Sequence, residues 1–222
     1  MDDLQSIEIR PKSRQYASVI WMHGLGADGH DFEGIIPQLG LPPEHGIGFI
    51  FPNAPIQAVT INGGMKMSSW YDILEMSFER QVDQEGIYQS SIAIQQLIQK
   101  ELDRGIDSEN ILLAGFSQGG VIALHTALTY PYKLAGVLAL SCYLPTLDGI
   151  TTELSTENQS IPIFMAHGTM DSVIDIDMAK KALEGLKQLS YPISWHEYPM
   201  QHAVCHEEIK DFSAFIRSVL KI

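Results

Sequence analysis

Cysteine is scarce in this chain. Its 222 residues include only Cys142 and Cys205, far apart and outside any CxxC pattern. By themselves they make neither a disulfide framework nor a zinc site. Positive charge is also thin: 14 Lys and Arg stand against 27 Asp and Glu, for a net charge of −13. Such a surface, with no local Lys/Arg cluster, repels phosphate backbones, so nucleic acid is not an expected partner. No run approaches the roughly 18 apolar residues of a membrane-spanning helix. The opening residues MDDLQSIEIRPKSRQ hold no basic stretch followed by an apolar one, and no secretory signal is read there. No H-E-x-x-H motif occurs, and no metal or cofactor is expected. Together these absences point to a cytoplasmic protein.

What is present is an ordinary globular composition, 45% hydrophobic, of a length suited to one large domain. Short β-rich runs at 6–10, 18–22, 47–51, 111–116, 136–141, 161–166 and 193–198 read as strands, several of them nearly continuous apolar runs as strands covered on both faces require. Helical periodicity falls between them, at 86–104, 118–130, 177–189 and 207–220. Strands alternating with helices imply right-handed crossovers and a mostly parallel central sheet flanked by helices on both faces. With no repeat and no linker, residues 1–222 are expected to form one α/β domain. The polar stretch 146–160 and the long stretch 53–78 fit no element, and loops of such length are often lids or binding loops.

The segment Gly115-Phe116-Ser117-Gln118-Gly119 spells G-x-S-x-G, entered by an apolar strand and left by a helix. That is the context of a nucleophile elbow, a tight turn that pushes the serine outward while its glycines relieve crowding. The serine then sits at a helix N-terminus, whose free N–H groups favour a developing oxyanion. The bland alternative is a glycine-rich turn with a capping serine.

Serine needs a general base oriented by a carboxylate, in the chain order Ser, Asp or Glu, His. Asp171 falls just past the strand at 161–166, while its rivals Asp175 and Asp177 stand where a helix begins and read as caps. His202 follows the last strand and a short turn. Among its rivals, His206 lies at a helix start, His196 within a strand and His125 on the helix after the elbow. For the oxyanion hole, one amide follows the nucleophile, here Gln118. The other comes from a glycine-rich loop after an early strand, here Leu25 in His23-Gly24-Leu25-Gly26. The same loop also spells G-x-G-x-x-G, but Asp28, His30 and Asp31 interrupt the helix start. The next strand ends in Pro52-Asn53 without the carboxylate that a dinucleotide site wants.

Together these pieces resemble the phospholipase/carboxylesterase family of α/β-hydrolases, which includes bacterial carboxylesterases and acyl-protein thioesterases. The resemblance runs through HGLG at 23–26, FPNAP at 51–55, SWYD at 69–72, LAGFSQGG at 113–120, SCYLP at 141–145 and HGTMD at 167–171. It implies the α/β-hydrolase fold and a triad of Ser117, Asp171 and His202. It also implies oxyanion amides of Leu25 and Gln118, and a homodimer. Gln201 departs from the family, which commonly has Gly just before the histidine, and this bears on the shape of that turn.

The implied reaction is hydrolysis of carboxylic esters or thioesters through an acyl-enzyme. The implied substrates are small esters or acyl-chain esters, including acylated proteins and lysophospholipids. Met65, Met67, Trp70 and Tyr71, with Ile73, Leu74, Met76 and Phe78 nearby, are expected beside the sheet's C-terminal edge. The first four are the candidate substrate contacts, with methionine suited to acyl chains of varied length and Trp70 read chiefly as a core residue. A non-catalytic member of the fold that binds a small molecule is the contrasting reading, and an intact triad argues against it. Dehalogenase-like chemistry would want a carboxylate at 117.

Overall fold

A computed structural model describes residues 4–75 and 82–222. Its elements run β1 (Ser6–Ile9), β2 (Ala17–Met22), α1 (His30–Glu33), β3 (Ile47–Pro52), β4 (Ile56–Val59), β5 (Met65–Ser68) and α2 (Gln84–Asp103). They continue with β6 (Ile111–Phe116), α3 (Gln118–Thr129), β7 (Gly136–Leu140), α4 (Leu147–Ile150), β8 (Ile163–Gly168), α5 (Ile176–Gln188), β9 (Ile193–Tyr198) and α6 (His206–Leu220). Seven strands form one sheet in the order β1-β3-β2-β6-β7-β8-β9. Only β1 runs antiparallel, along β3. All seven runs read from the sequence are strands of this sheet, and all four helical patterns are helices. The sequence reading left β4 and β5 inside a loop, where they pair as a hairpin.

Alternation along the strands explains why apolar runs were needed. In β2, Ile20 and Met22 face the layer of α2, α3 and α5, while Val19 and Trp21 face α1 and α6. In β6, Ile111 and Leu113 face the first layer and Leu112 and Ala114 the second. A polar residue at any of these positions would lose about 1.5–3 kcal/mol of burial before its own desolvation. The helices meet the sheet with matching stripes. Ile87, Ile94, Leu97 and Ile98 of α2 and Ile209, Phe212 and Ile216 of α6 are buried. Asp83 caps α2, its carboxylate accepting the Gly86 N–H at 2.9 Å, and α2 stops at Gly105, whose φ of +88° only glycine adopts freely.

The strand order places the site. From β2 the chain steps to β3 on one side, and from β6 it steps to β7 on the other. The gap between the C-terminal ends of β2 and β6 is thus the topological switch point, where open α/β sheets bind ligands. The loop carrying Leu25 leaves β2 and the turn carrying Ser117 leaves β6. Among the described residues, no helix is long and apolar enough to cross a membrane.

Candidate active site

Ser117 stands between β6 and α3 with φ 55° and ψ −120°, a backbone that costs about 1–3 kcal/mol for a non-glycine residue. Its neighbours enforce it. A Cβ on Gly115 would lie 2.1 Å from the Gly119 carbonyl oxygen, and one on Gly119 would lie 2.3 Å from the Met22 carbonyl oxygen. A Cβ on Gly120 would meet Cys142 Sγ at 2.7 Å. The turn is closed by the Ser117 N–H donating to the Leu140 carbonyl at 2.9 Å. As first residue of α3, Gln118 presents an N–H that the helix ladder leaves without an acceptor.

Asp171 lies in the loop after β8 with its side chain fully buried. Its Oδ1 accepts the N–H groups of Val173 and Ile174 at 2.8 and 2.9 Å, which fixes the carboxylate's orientation. Its Oδ2 accepts from His202 Nδ1 at 2.7 Å. An ionised carboxylate only accepts, so Nδ1 is the donor and Nε2 is the nitrogen left to face the cavity. The ring of Phe116, next to the serine, packs on the His202 ring with centroids 4.7 Å apart. Fully buried His167 stands 3.4 Å from Asp171 Oδ2 and donates Nε2–H to the Ile174 carbonyl at 2.9 Å. Burial holds His167 below its ordinary pKa, against the upward pull of that hydrogen bond and of Asp171, so it supports the loop as a neutral ring.

The turn before His202 is held close. A Cβ on Gly168 would lie 2.4 and 2.5 Å from the carbonyl oxygens of Met200 and Gln201. Gln201 itself is exposed and is not among the residues of left-handed backbone, which accounts for a side chain where the family resemblance led us to expect glycine.

The Leu25 loop is tied on both sides. The Gly26 N–H donates to the Ser68 carbonyl at 2.8 Å, and the His23 carbonyl accepts the Trp70 indole N–H at 2.9 Å. His23 Nε2 accepts the Ala54 N–H at 3.1 Å. Burial lowers the His23 pKa, which keeps that nitrogen an acceptor.

Leu25, Ser117, Gln118 and His202 line one cavity of about 280 Å³. Its walls are mostly apolar, with Tyr71, Ile73, Phe116, Tyr143, Val173 and Ile174 among them. Of the expected substrate contacts only Tyr71 is in this wall. Trp70 is 1% exposed and packs in the core. Met65 is 64% exposed on β5, and Met67 borders a separate hollow beside β4. The reason is the hairpin: pairing with β4 carries both methionines away from the serine. Met76 and Phe78 lie outside the described residues. The sequence reading missed Tyr143, Val173 and Ile174 as lining. The signal for the last two was their place two and three residues past Asp171.

The rivals fall where the sequence reading put them, except that Asp177, also read as a cap, lies inside the first turn of α5. Asp175 caps α5 by accepting the Asp177 N–H at 2.9 Å. His206 opens α6, His196 lies in β9 and His125 in α3.

The phospholipase/carboxylesterase family model matches residues 5–220. The chain belongs to this family. It is a serine hydrolase of the α/β-hydrolase fold. Similar members include acyl-protein thioesterase 1 of Yarrowia lipolytica, 36% identical with 100% of both chains covered. Another is acyl-protein thioesterase 1 of Neurospora crassa, 38% identical over 92% of this chain and 87% of that one. Among solved structures, Arabidopsis thaliana SOBER1 superposes with a TM-score of 0.87 at 29% identity, covering 92% of this chain and 99% of that one.

Proposed function

We propose that this enzyme hydrolyses acyl thioesters and oxygen esters through an acyl-enzyme on Ser117. His202 is the general base and Asp171 its orienter, and the Leu25 and Gln118 amides form the oxyanion hole. The observation that carries the reading is the Asp171–His202 hydrogen bond of 2.7 Å beside a cavity that His202 shares with Ser117 on its strained turn.

The geometry performs the reaction in two halves. As Ser117 Oγ attacks the acyl carbonyl, His202 Nε2 takes its proton and Asp171 stabilises the resulting imidazolium. Negative charge moves to the carbonyl oxygen, toward the two amides. The intermediate collapses, and His202 gives its proton to the leaving thiol or alcohol. Water then repeats the sequence and releases the acid. The chemistry of both halves fits either leaving atom, so substrate choice rests on the cavity.

The apolar wall supports an acyl chain, and the relatives named acyl-protein thioesterase support a protein-borne thioester. A lysophospholipid as the natural oxygen ester is a second reading, supported by the phospholipase/carboxylesterase family match. The reading includes a single domain and a cytoplasmic homodimer, the dimer to be checked by light scattering on purified protein.

The experiment compares p-nitrophenyl esters with matched acyl thioesters of increasing chain length, on the parent and on Ser117→Ala. Each methylene buried in the cavity contributes about 0.8 kcal/mol, so kcat/KM is expected to rise about fourfold per carbon until the cavity fills. Full turnover by Ser117→Ala, or no dependence on chain length, would overturn the assignment.

A further inference from the structure

The two amides assigned to the oxyanion hole belong to different elements, one at the start of α3 and the other in the loop after β2. Pairing of Met22 with Gly115 brings those elements side by side. An oxyanion hole demands more, because each donor must sit about 2.7–3.1 Å from one developing charge. A single short strap, the residues from Ser68 to Tyr71, touches both.

On one side the strap grips the Gln118 side chain. Its carboxamide accepts the Trp70 backbone N–H at 3.1 Å and donates to the Tyr71 carbonyl at 2.8 Å. Ser69 Oγ accepts from the same carboxamide at 3.2 Å while donating to the Tyr71 carbonyl at 2.6 Å. On the other side the strap brackets Leu25. Trp70 Nε1–H donates to the carbonyl of His23, and the Ser68 carbonyl accepts from Gly26. Gln118, Ser69 and Trp70 are 3%, 0% and 1% exposed, so these bonds face no competition from water. The strap is anchored from outside by Ser90 of α2, whose hydroxyl donates to the Trp70 carbonyl.

We propose that the Gln118 side chain and Trp70 are positioning residues, which together set the separation of the two oxyanion amides. The inference rests on the acyl-enzyme reading above. Any residue but proline at 118 would supply a backbone N–H. A glutamine is needed to lock that N–H to the strap, and an indole to lock the strap to the Leu25 loop. The Gln118 carboxamide and the Trp70 indole are both spent on bonds within the protein, so their effect falls on the transition state, where the charge develops.

The test uses Gln118→Met, which keeps the bulk, and Trp70→Phe, which keeps an aromatic ring of smaller size, each removing the side-chain hydrogen bonds, with thermal unfolding as the check on folding. Two ligands separate positioning from general structure. An alkyl trifluoromethyl ketone forms a hemiketal with a serine nucleophile and places a full oxyanion in the hole. The matching fatty acid occupies the acyl cavity without one. Removing a donor outright costs on the order of 100-fold or more, so a displaced donor should lower kcat and ketone affinity together by about tenfold or more. KM and fatty-acid affinity should stay within about twofold, with an unchanged pH profile. The double variant should lose little more than the worse single one, because both act on one distance. If Gln118→Met does not fold, Ser69→Ala removes the hydroxyl that bonds the carboxamide and carries the same expectation.

Kinetics and ketone affinity unchanged in folded variants would overturn the proposal. So would a rise in KM and a fall in fatty-acid affinity with kcat retained, which would make the strap a substrate-binding element. Failure of the underlying reading looks different: the parent itself would not bind the ketone, or Ser117→Ala would keep its activity.

Discussion

At the scale of single residues, the proposed chemistry depends on groups whose geometry the surroundings leave no freedom to change. Asp171 accepts two backbone N–H groups on one oxygen and His202 on the other. Asp171→Asn would keep that shape but offer an amide N–H toward Nδ1, driving the proton to Nε2 and removing the base. A fall in kcat of about 10⁴ is expected, as in comparable triads, with the unfolding midpoint little changed. Steady-state kinetics beside thermal melts would check both halves. The elbow makes the opposite kind of demand. A methyl on Gly119 would stand 2.3 Å from the Met22 carbonyl oxygen, backbone against backbone. Gly119→Ala should therefore lose stability together with activity. The place of each in the fold was legible in the sequence: Gly119 from a strand, G-x-S-x-G and a helix in one order, and Asp171 from its loop just past an apolar run. The Gln118 clamp was not legible. Its partners lie almost fifty residues away in a stretch with no regular pattern, and nothing local marks a glutamine whose side chain is engaged.

At the scale of elements, strands and helices were readable because burial on both faces writes continuous apolar runs, and one-sided burial writes helical stripes. The β4–β5 hairpin was not readable. Ile56 and Met65 are 69% and 64% exposed, so the pair lacks the alternation of a half-buried ribbon. The same hairpin removed Met65 and Met67 from the cleft. Polar links between elements also escape sequence patterns. Glu101 of α2 is 1% exposed and accepts hydrogen bonds from Ser18 of β2 and from Arg10, which precedes it. Glu101→Ala would leave the buried Ser18 hydroxyl without its acceptor, while Arg10 keeps Glu8 and Gln15, and a loss of about 1–3 kcal/mol is expected from chemical denaturation.

Helix α6 carries a pH effect of defined sign. Burial pushes the Glu208 carboxyl from 4.5 up to about 8, against the Cys205 amide, which pulls it down. Above pH 4.5 the unfolded chain releases this proton while the folded chain keeps it. The contribution is therefore fully present below pH 4.5 and declines as pH rises, until the folded group ionises near 8. The slope is at most about 1.4 kcal/mol per pH unit. Glu208→Gln should flatten it, so its advantage in melting temperature over the parent should grow from pH 5 to pH 8. A constant difference across that range would contradict the assignment.

At the scale of the whole molecule, the net charge of −13 sets the field through which substrates arrive. An anionic thioester such as an acyl-coenzyme A is repelled, and salt screens the repulsion. Raising ionic strength should therefore raise kcat/KM for that substrate while leaving a neutral p-nitrophenyl ester unaffected. The same charge and the paucity of cysteine bound the class of the protein before any motif was considered. The motifs then narrowed it to one site at the switch point of the sheet.

The central claim is that Ser117 is the nucleophile, and covalent capture tests it most directly. Purified protein treated with a fluorophosphonate should gain the mass of one adduct, and peptide mapping should put it on Ser117. Ser117→Ala, folded by its melting curve, should gain none. Labelling of the variant equal to the parent, or an adduct mapped to another residue, would contradict the account.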